Sequence, residues 1–269
     1  MQRQERARDS SKHGISLMSR DEPAFRPDLR KSALLLDVDG TIIDIASSPD
    51  AVRVPPSLRD TLSRLIIATD GAVALVSGRM IADLEHLFAP LRLAMVGGHG
   101  AEMRLLGDAK AEPCAAPELD VELKRRLLAL AREGVMAEDK GVSVALHYRR
   151  APERENTLRA AIGDLCAQPW PTPIEILSGK AVIEIKPAGF SKGSGVRELM
   201  RRAPFAGRRP IFIGDDTTDE TVFAIMPELD GTAFSVGRDV VGVAGRFATP
   251  ARVRAWLDRI APAGESVAP

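Results

Sequence analysis

The chain has 269 residues, 45% of them hydrophobic, and its 37 Lys plus Arg balance 37 Asp plus Glu. That length supports one or two domains with buried cores and excludes a small scaffold that needs disulfide or metal staples. A formal net charge of zero gives no global field toward nucleic acid or a membrane surface, so neither is expected as a partner and any anionic ligand must be held locally.

Residues 1–30 mix Arg3, Arg6, Arg8 and Arg20 with Glu5, Asp9, Asp21 and Glu22 and carry no sustained apolar period. They read as a disordered leader, in which Met18 offers a later start. No apolar run approaches bilayer length, and the N-terminus lacks the apolar stretch of a secretory signal. A cytoplasmic location is therefore expected. Cys114 and Cys166 stand too far apart in sequence for a metal pair and read as reduced thiols.

Ser32-Ala33-Leu34-Leu35-Leu36 is a continuous apolar run, the pattern of a strand buried on both faces of a parallel sheet. Pro55-Pro56-Ser57 then starts a helix with Leu58, Leu62, Leu65 and Ile66 at helical spacing. Val73-Ala74-Leu75-Val76 is a second buried strand, and strand, helix, strand implies a right-handed parallel crossover. The middle differs. Residues 118–132 read as an amphipathic helix, 142–150 alternate like a half-exposed strand, and 153–167 suggest another helix. Strands at 174–177 and 181–185 flank Ser178-Gly179-Lys180 as a hairpin. The buried pattern then resumes with a helix over about 194–202, strands at 210–213 and 232–236, and a helix after Thr217. The expected architecture is α/β: a doubly wound parallel-sheet core at 31–103 and 187–262, a smaller α+β cap at 104–186, and a short tail at 263–269.

Asp37-Val38-Asp39-Gly40-Thr41 sits where the first buried strand ends, the edge at which open α/β sheets bind ligands. Two carboxylates two residues apart share a strand face and repel unless a cation or a proton intervenes. A second acidic string, Gly214-Asp215-Asp216-Thr217-Thr218-Asp219-Glu220, also follows an apolar strand. Asp216 and Glu220 are explained equally well as helix-start residues, whereas Asp215 is not. Hard oxygen donors on two strand ends fit magnesium completed by phosphate oxygens. Ser77 adds a hydroxyl and Lys192, in Phe190-Ser191-Lys192-Gly193, an ammonium. Each is weak alone, and their order along the chain makes them informative.

That ordered set, Asp37 to Thr41, Ser77, Lys192 and Gly214 to Asp219, resembles the four motifs of the haloacid dehalogenase superfamily, in the Asp-x-Asp-Gly-Thr form of its phosphatases and phosphomutases. Within it, Gly98-His99-Gly100-Ala101-Glu102, the string from Lys140 to Arg149, and Gly179-Lys180 with Glu184 resemble trehalose-6-phosphate phosphatases. Val38 departs mildly, standing where Phe is common.

The resemblance implies a Mg2+-dependent phosphatase acting on trehalose 6-phosphate, with Asp37 as nucleophile, Asp39 as acid and base, and Thr41, Ser77 and Lys192 on the phosphoryl group. Asp37, the Asp39 carbonyl and Asp215 are expected to hold the metal, joined by Asp216 and Asp219. Gly78, Arg79, His99, Lys140, His147, Arg149, Lys180 and Glu184 are expected to meet the substrate. Alternation places Ser143, His147 and Arg149 on one strand face and Lys180 with Glu184 on another, a pattern that a solvated face would also give. The substrate is expected from a separate trehalose-6-phosphate synthase. A phosphatase of another sugar phosphate such as sucrose phosphate, a sugar phosphomutase, and a non-catalytic sensor are the alternatives, the last opposed by the intact acidic and lysine set.

Overall fold

The computed structural model describes residues 25–45, 52–108, 110–114 and 116–263. Most of the expected leader and tail, residues 1–24 and 264–269, lies outside the described residues. Phe25 and Leu29, expected as part of the leader, instead touch the core. The Phe25 ring lies 6.1 Å from Phe234, and its carbonyl accepts from Trp256 Nε1 at 3.1 Å. A single aromatic residue carries no periodicity, so no sequence pattern announced this contact.

The core alternates strands and helices. β1 (Ser32–Leu36), α1 (Pro56–Ala68), β2 (Val73–Val76), α2 (Ile81–Phe88) and β3 (Ala94–Gly97) form its first half, extended by β4 (Glu102–Arg104) and β5 (Glu112–Pro113). Then come α3 (Val121–Leu128), β6 (Met136–Asp139), β7 (Val144–His147), α4 (Glu155–Cys166), β8 (Ile174–Gly179) and β9 (Val182–Pro187) of the cap. The core resumes with α5 (Lys192–Leu199), β10 (Arg209–Gly214), α6 (Glu220–Phe223), β11 (Thr232–Val236), β12 (Gly245–Phe247) and α7 (Pro250–Ile260).

The eight-stranded sheet runs β12-β11-β10-β1-β2-β3-β4-β5, parallel from β12 to β3 and antiparallel over β4 and β5. β4 and β5 carry the core sheet past residue 103, the boundary expected from sequence, as far as Pro113. They are too short and polar to show a strand period. The apolar run of β1 has two buried faces: Leu34 and Leu36 join α1, α2 and α7 on one side, while Ala33 and Leu35 join α5 and α6 on the other. At roughly 25 cal/mol per Å2 of apolar surface removed from water, this double burial makes β1 the spine of the domain. The helix expected after Thr217 is a 3-10 turn, Thr217–Asp219, followed by the four residues of α6.

The cap is an antiparallel sheet, β6-β7-β9-β8, with its own core of Leu123, Leu127, Leu146, Leu158, Ile162 and Ile185. The expected hairpin is present, but Ser178 and Gly179 belong to β8. The two-residue turn is Lys180-Ala181, with Gly179 opposite Val182 and Ala181 at φ +60°. Among the described residues no helix is long and apolar enough to cross a membrane.

Candidate active site

Parallel register brings the strand ends together. Leu36 lies opposite both Ile213 and Leu75, so Asp37, Ser77 and the Asp215 loop emerge side by side at the carboxyl edge of the sheet. Gly40, at φ +85°, closes the turn after Asp39, and a Cβ there would lie 2.2 Å from Asp215 Oδ2. Only glycine lets the Asp215 carboxylate approach the first strand end.

At the floor, Lys192 donates to Asp37 Oδ1 at 2.8 Å and to Asp219 Oδ1 at 2.7 Å, with all three residues buried. Thr41 Oγ1 donates to Asp37 Oδ2 at 2.7 Å and lies 3.5 Å from Asp215 Oδ1. Lys192 opens α5 behind a Ser191 capping box, where the helix dipole opposes a cation. Burial also opposes its charge, but Asp219 and Asp37 outweigh burial and raise its pKa. One buried ammonium faces three carboxylates.

Asp37, Asp215 and Asp219 each offer an oxygen within 4.8 Å of the others. Burial and the neighbouring Asp37 charge push Asp215 up to about 7 and raise Asp219 as well. Surplus negative charge on hard oxygen donors is the condition that a divalent cation relieves, so the group fits such an ion. Asp216 lies outside this group of three. Its carboxylate accepts from Thr217 N at 2.7 Å and caps the 3-10 turn, the alternative that the sequence had left open for it. The Asp39 carboxylate is taken by Arg79, through Nε at 2.6 Å and Nη2 at 2.8 Å, leaving its carbonyl as the atom available to a cation. The buried Ser77 hydroxyl accepts from Arg79 N at 3.2 Å.

The cap forms the roof. Ser143 and Glu184 meet across β7 and β9, where Ser143 Oγ donates to Glu184 Oε1 at 2.6 Å and Lys140 Nζ to Oε2 at 2.8 Å. His99, from the core, brings Nε2 to within 3.3 Å of the same Oε2. Burial lowers the His99 pKa and favours the neutral ring, while the His99 hydrogen bond and the Lys140 ammonium stabilise anionic Glu184. The Glu184 pKa is held well below the usual carboxylate range despite burial. An acceptor-only carboxylate requires the ring proton on Nε2, which leaves buried Nδ1 without a partner. Lys140 also lies 3.5 Å from the Gly78 carbonyl, and a Cβ on Gly78 would overlap the His99 ring.

Lys180 is not on a strand face with Glu184, as alternation had suggested. It sits in the hairpin turn, and its ammonium reaches to 3.6 Å from Asp215 Oδ2 across the cleft. The period of two fails there because the chain reverses at Lys180. His147 pairs with Glu138 at 2.9 Å, and Arg149 donates to the Lys180 carbonyl at 3.3 Å.

Together the floor and roof enclose a cavity of about 250 Å3, lined by Asp37, Asp39, Ser77, Gly78, Arg79, His99, Lys140, His147, Glu184, Lys192 and Asp215 among others. It adjoins a wider cleft of about 520 Å3 reaching Arg149 and Lys180. Glu138 lines both, and sequence reasoning missed it. Its only signal was the Glu138-x-Lys140 spacing on the short strand β6.

Comparison with known proteins agrees with this geometry. Residues 35–254 match the family model of trehalose-phosphatase. The chain is 38% identical over 236 residues to trehalose-6-phosphate phosphatase of Escherichia coli (strain K12), covering 87% of this chain and 88% of that protein. It is 42% identical over 219 residues to a probable trehalose-phosphate phosphatase of Sinorhizobium fredii, covering 81% and 82%. Its fold resembles that of the C-terminal domain of C. albicans trehalose-6-phosphate phosphatase, with a TM-score of 0.75 at 23% identity, covering 86% of this chain and 92% of that one. With a largely parallel-sheet core, an α+β cap and this extent of similarity, the chain belongs to the trehalose-phosphatase family.

Proposed function

We propose that the chain hydrolyses trehalose 6-phosphate to trehalose and inorganic phosphate, with Mg2+ as cofactor and the phosphoryl group carried transiently on Asp37. The observation that supports this best is the buried Asp37–Lys192–Asp219 cluster lying beneath a cap that turns Glu184, Lys140 and His147 toward the same cavity.

An Asp37 oxygen attacks phosphorus and the sugar oxygen departs with the electron pair of the broken P–O bond. Asp39, as the acid, gives that oxygen a proton. Asp39, now a carboxylate, then takes a proton from the water that attacks the acyl phosphate, and Asp37 is regenerated as phosphate leaves. Arg79 occupies both Asp39 oxygens, so Asp39 must give up an Arg79 contact to exchange a proton with the sugar oxygen or with water. Lys192, Thr41 and Ser77 hold the phosphoryl oxygens. Asp37, Asp215 and the Asp39 carbonyl would hold Mg2+, backed by Asp219, whose own oxygens are spent on Lys192 and Asp216 N. When bound, the ion supplies neutralisation of phosphate charge. Gly78, Arg79, His99, Lys140, His147, Arg149, Lys180 and Glu184 offer the polar contacts for the disaccharide. The reading includes a cytoplasmic location, in keeping with two unpaired cysteines.

The test is phosphate release over a panel of sugar phosphates, with Mg2+ and with chelator. Trehalose 6-phosphate should be preferred and chelation should stop turnover. Equal use of sucrose phosphate would overturn the substrate, and undiminished activity in chelator would overturn the metal.

A further inference from the structure

Arg238 lies outside the cavity and carries no motif. It follows β11 and Gly237, whose φ of +71° turns the chain back, and its carbonyl accepts from the buried Ser235 hydroxyl at 2.8 Å. All three guanidinium nitrogens engage the segment after β10. Nε donates to the Asp215 carbonyl at 2.8 Å, Nη2 to the Asp216 carbonyl at 2.7 Å, and Nη1 to Glu220 Oε1 at 2.6 Å. A guanidinium is a rigid planar fork, so its acceptors are held in fixed relation to one another.

We propose that Arg238 is a positioning residue for the cation site, locking the backbone of the Asp215–Glu220 turn so that the Asp215 carboxylate stays beside Asp37. The inference rests on the reading that Asp37 and Asp215 hold Mg2+. Asp215 is the member of the acidic group that needs such a lock. Asp37 and Asp219 are tied down by Lys192. Among the described residues the Asp215 carboxylate has only a 3.5 Å contact with Thr41 and the exposed Lys180 at 3.6 Å. The Asp37 charge opposes a second carboxylate beside it, and a shift of the Asp215 or Asp216 carbonyl away from the guanidinium costs a bond to Arg238. Glu220 partners the Arg238 charge, so the residue acts through geometry rather than by repelling the ion.

The experiment is calorimetric titration of the metal-free protein with Mg2+ alone, wild type against Arg238→Met, with thermal melting of both. The variant should bind Mg2+ about tenfold more weakly, the low end of what losing an outer support of a metal ligand costs. The Mg2+ concentration for half-maximal phosphate release should rise by the same factor, while kcat at saturating Mg2+ stays within about threefold of wild type. An unchanged Mg2+ affinity overturns the proposal, including the case where only the melting temperature falls, and so does a kcat loss that Mg2+ cannot restore. Absence of Mg2+ uptake by the wild type would remove the metal reading and this inference with it. If Arg238→Met does not fold, Arg238→Lys carries the test. It keeps the charge but loses the fork, so its Mg2+ affinity should fall severalfold below wild type, and wild-type affinity would overturn the proposal.

Discussion

Asp37 and Glu184 are both buried carboxylates facing one cleft, yet their surroundings treat them differently. Asp37 belongs to a floor where three carboxylates share one buried ammonium, and burial together with the Asp37 charge raises the pKa of Asp215 and Asp219. Glu184 belongs to a roof where one carboxylate has Ser143, Lys140 and His99, and its pKa falls. The floor is incomplete without further positive charge, which suits chemistry on a phosphate dianion with a cation. The roof is complete by itself and contains a residue from each body, His99 from the core and Glu184 from the cap. Sugar hydroxyls entering there would exchange with bonds already made, so on the proposed reading specificity and cap position would both depend on Glu184.

The largest expected effect breaks the floor. Asp37→Asn removes the proposed nucleophile and an anionic donor while keeping the shape, so phosphate release should vanish although the melting transition remains. Turnover above the contaminant level would withdraw Asp37.

Damage to the roof should be selective. Glu184→Ala should lower trehalose 6-phosphate turnover by about ten- to hundredfold, the worth of a hydrogen bond to a charged group, and leave a small aryl phosphate nearly unchanged. Part of the loss should appear in kcat, because binding energy from the distant sugar holds the cap over Asp37. Parallel losses on both substrates would mean that Glu184 supports the floor and not the sugar.

The smallest effect is a pH dependence of stability. The Asp215 pKa is raised to about 7 in the folded state, above the roughly 3.9 of an unfolded aspartate. Between those values the folded chain holds a proton that the unfolded chain has lost, so this group makes stability fall as pH rises from about 4 to about 7. Metal-free Asp215→Asn should show a flatter fall in melting temperature over that window than wild type, and Mg2+ should flatten the wild type in the same way. Identical slopes in all three would show that the floor carries no surplus charge.

The floor was the more legible region in sequence. Asp37, Asp39 and Asp215 follow continuous apolar runs, and Ser77 follows a third. A buried strand fixes where its last residue emerges, so strand ends place side chains without knowledge of the partner. Glycine at 40 was readable as a sharp turn, though not as the room that Asp215 needs. The roof was less legible, because its strands alternate in the manner of any half-exposed sheet. The periodicity grouped Lys180 with Glu184, whereas the reversal at Lys180-Ala181 sends Lys180 toward Asp215.

By itself the sequence determined the two-sided burial of β1, the order of the motifs that carry the family resemblance, and the presence of an inserted segment of different pattern. These are properties of local pattern and spacing, which a chain carries before it folds. The tertiary structure decided which charges meet. Lys192 lies 155 residues from Asp37, Arg79 takes both oxygens of Asp39, His99 reaches Glu184 across the cleft, and Arg238 grips the Asp215 turn. Electrostatic partners are selected by distance in space and by burial, and neither quantity is written in the spacing of residues along the chain.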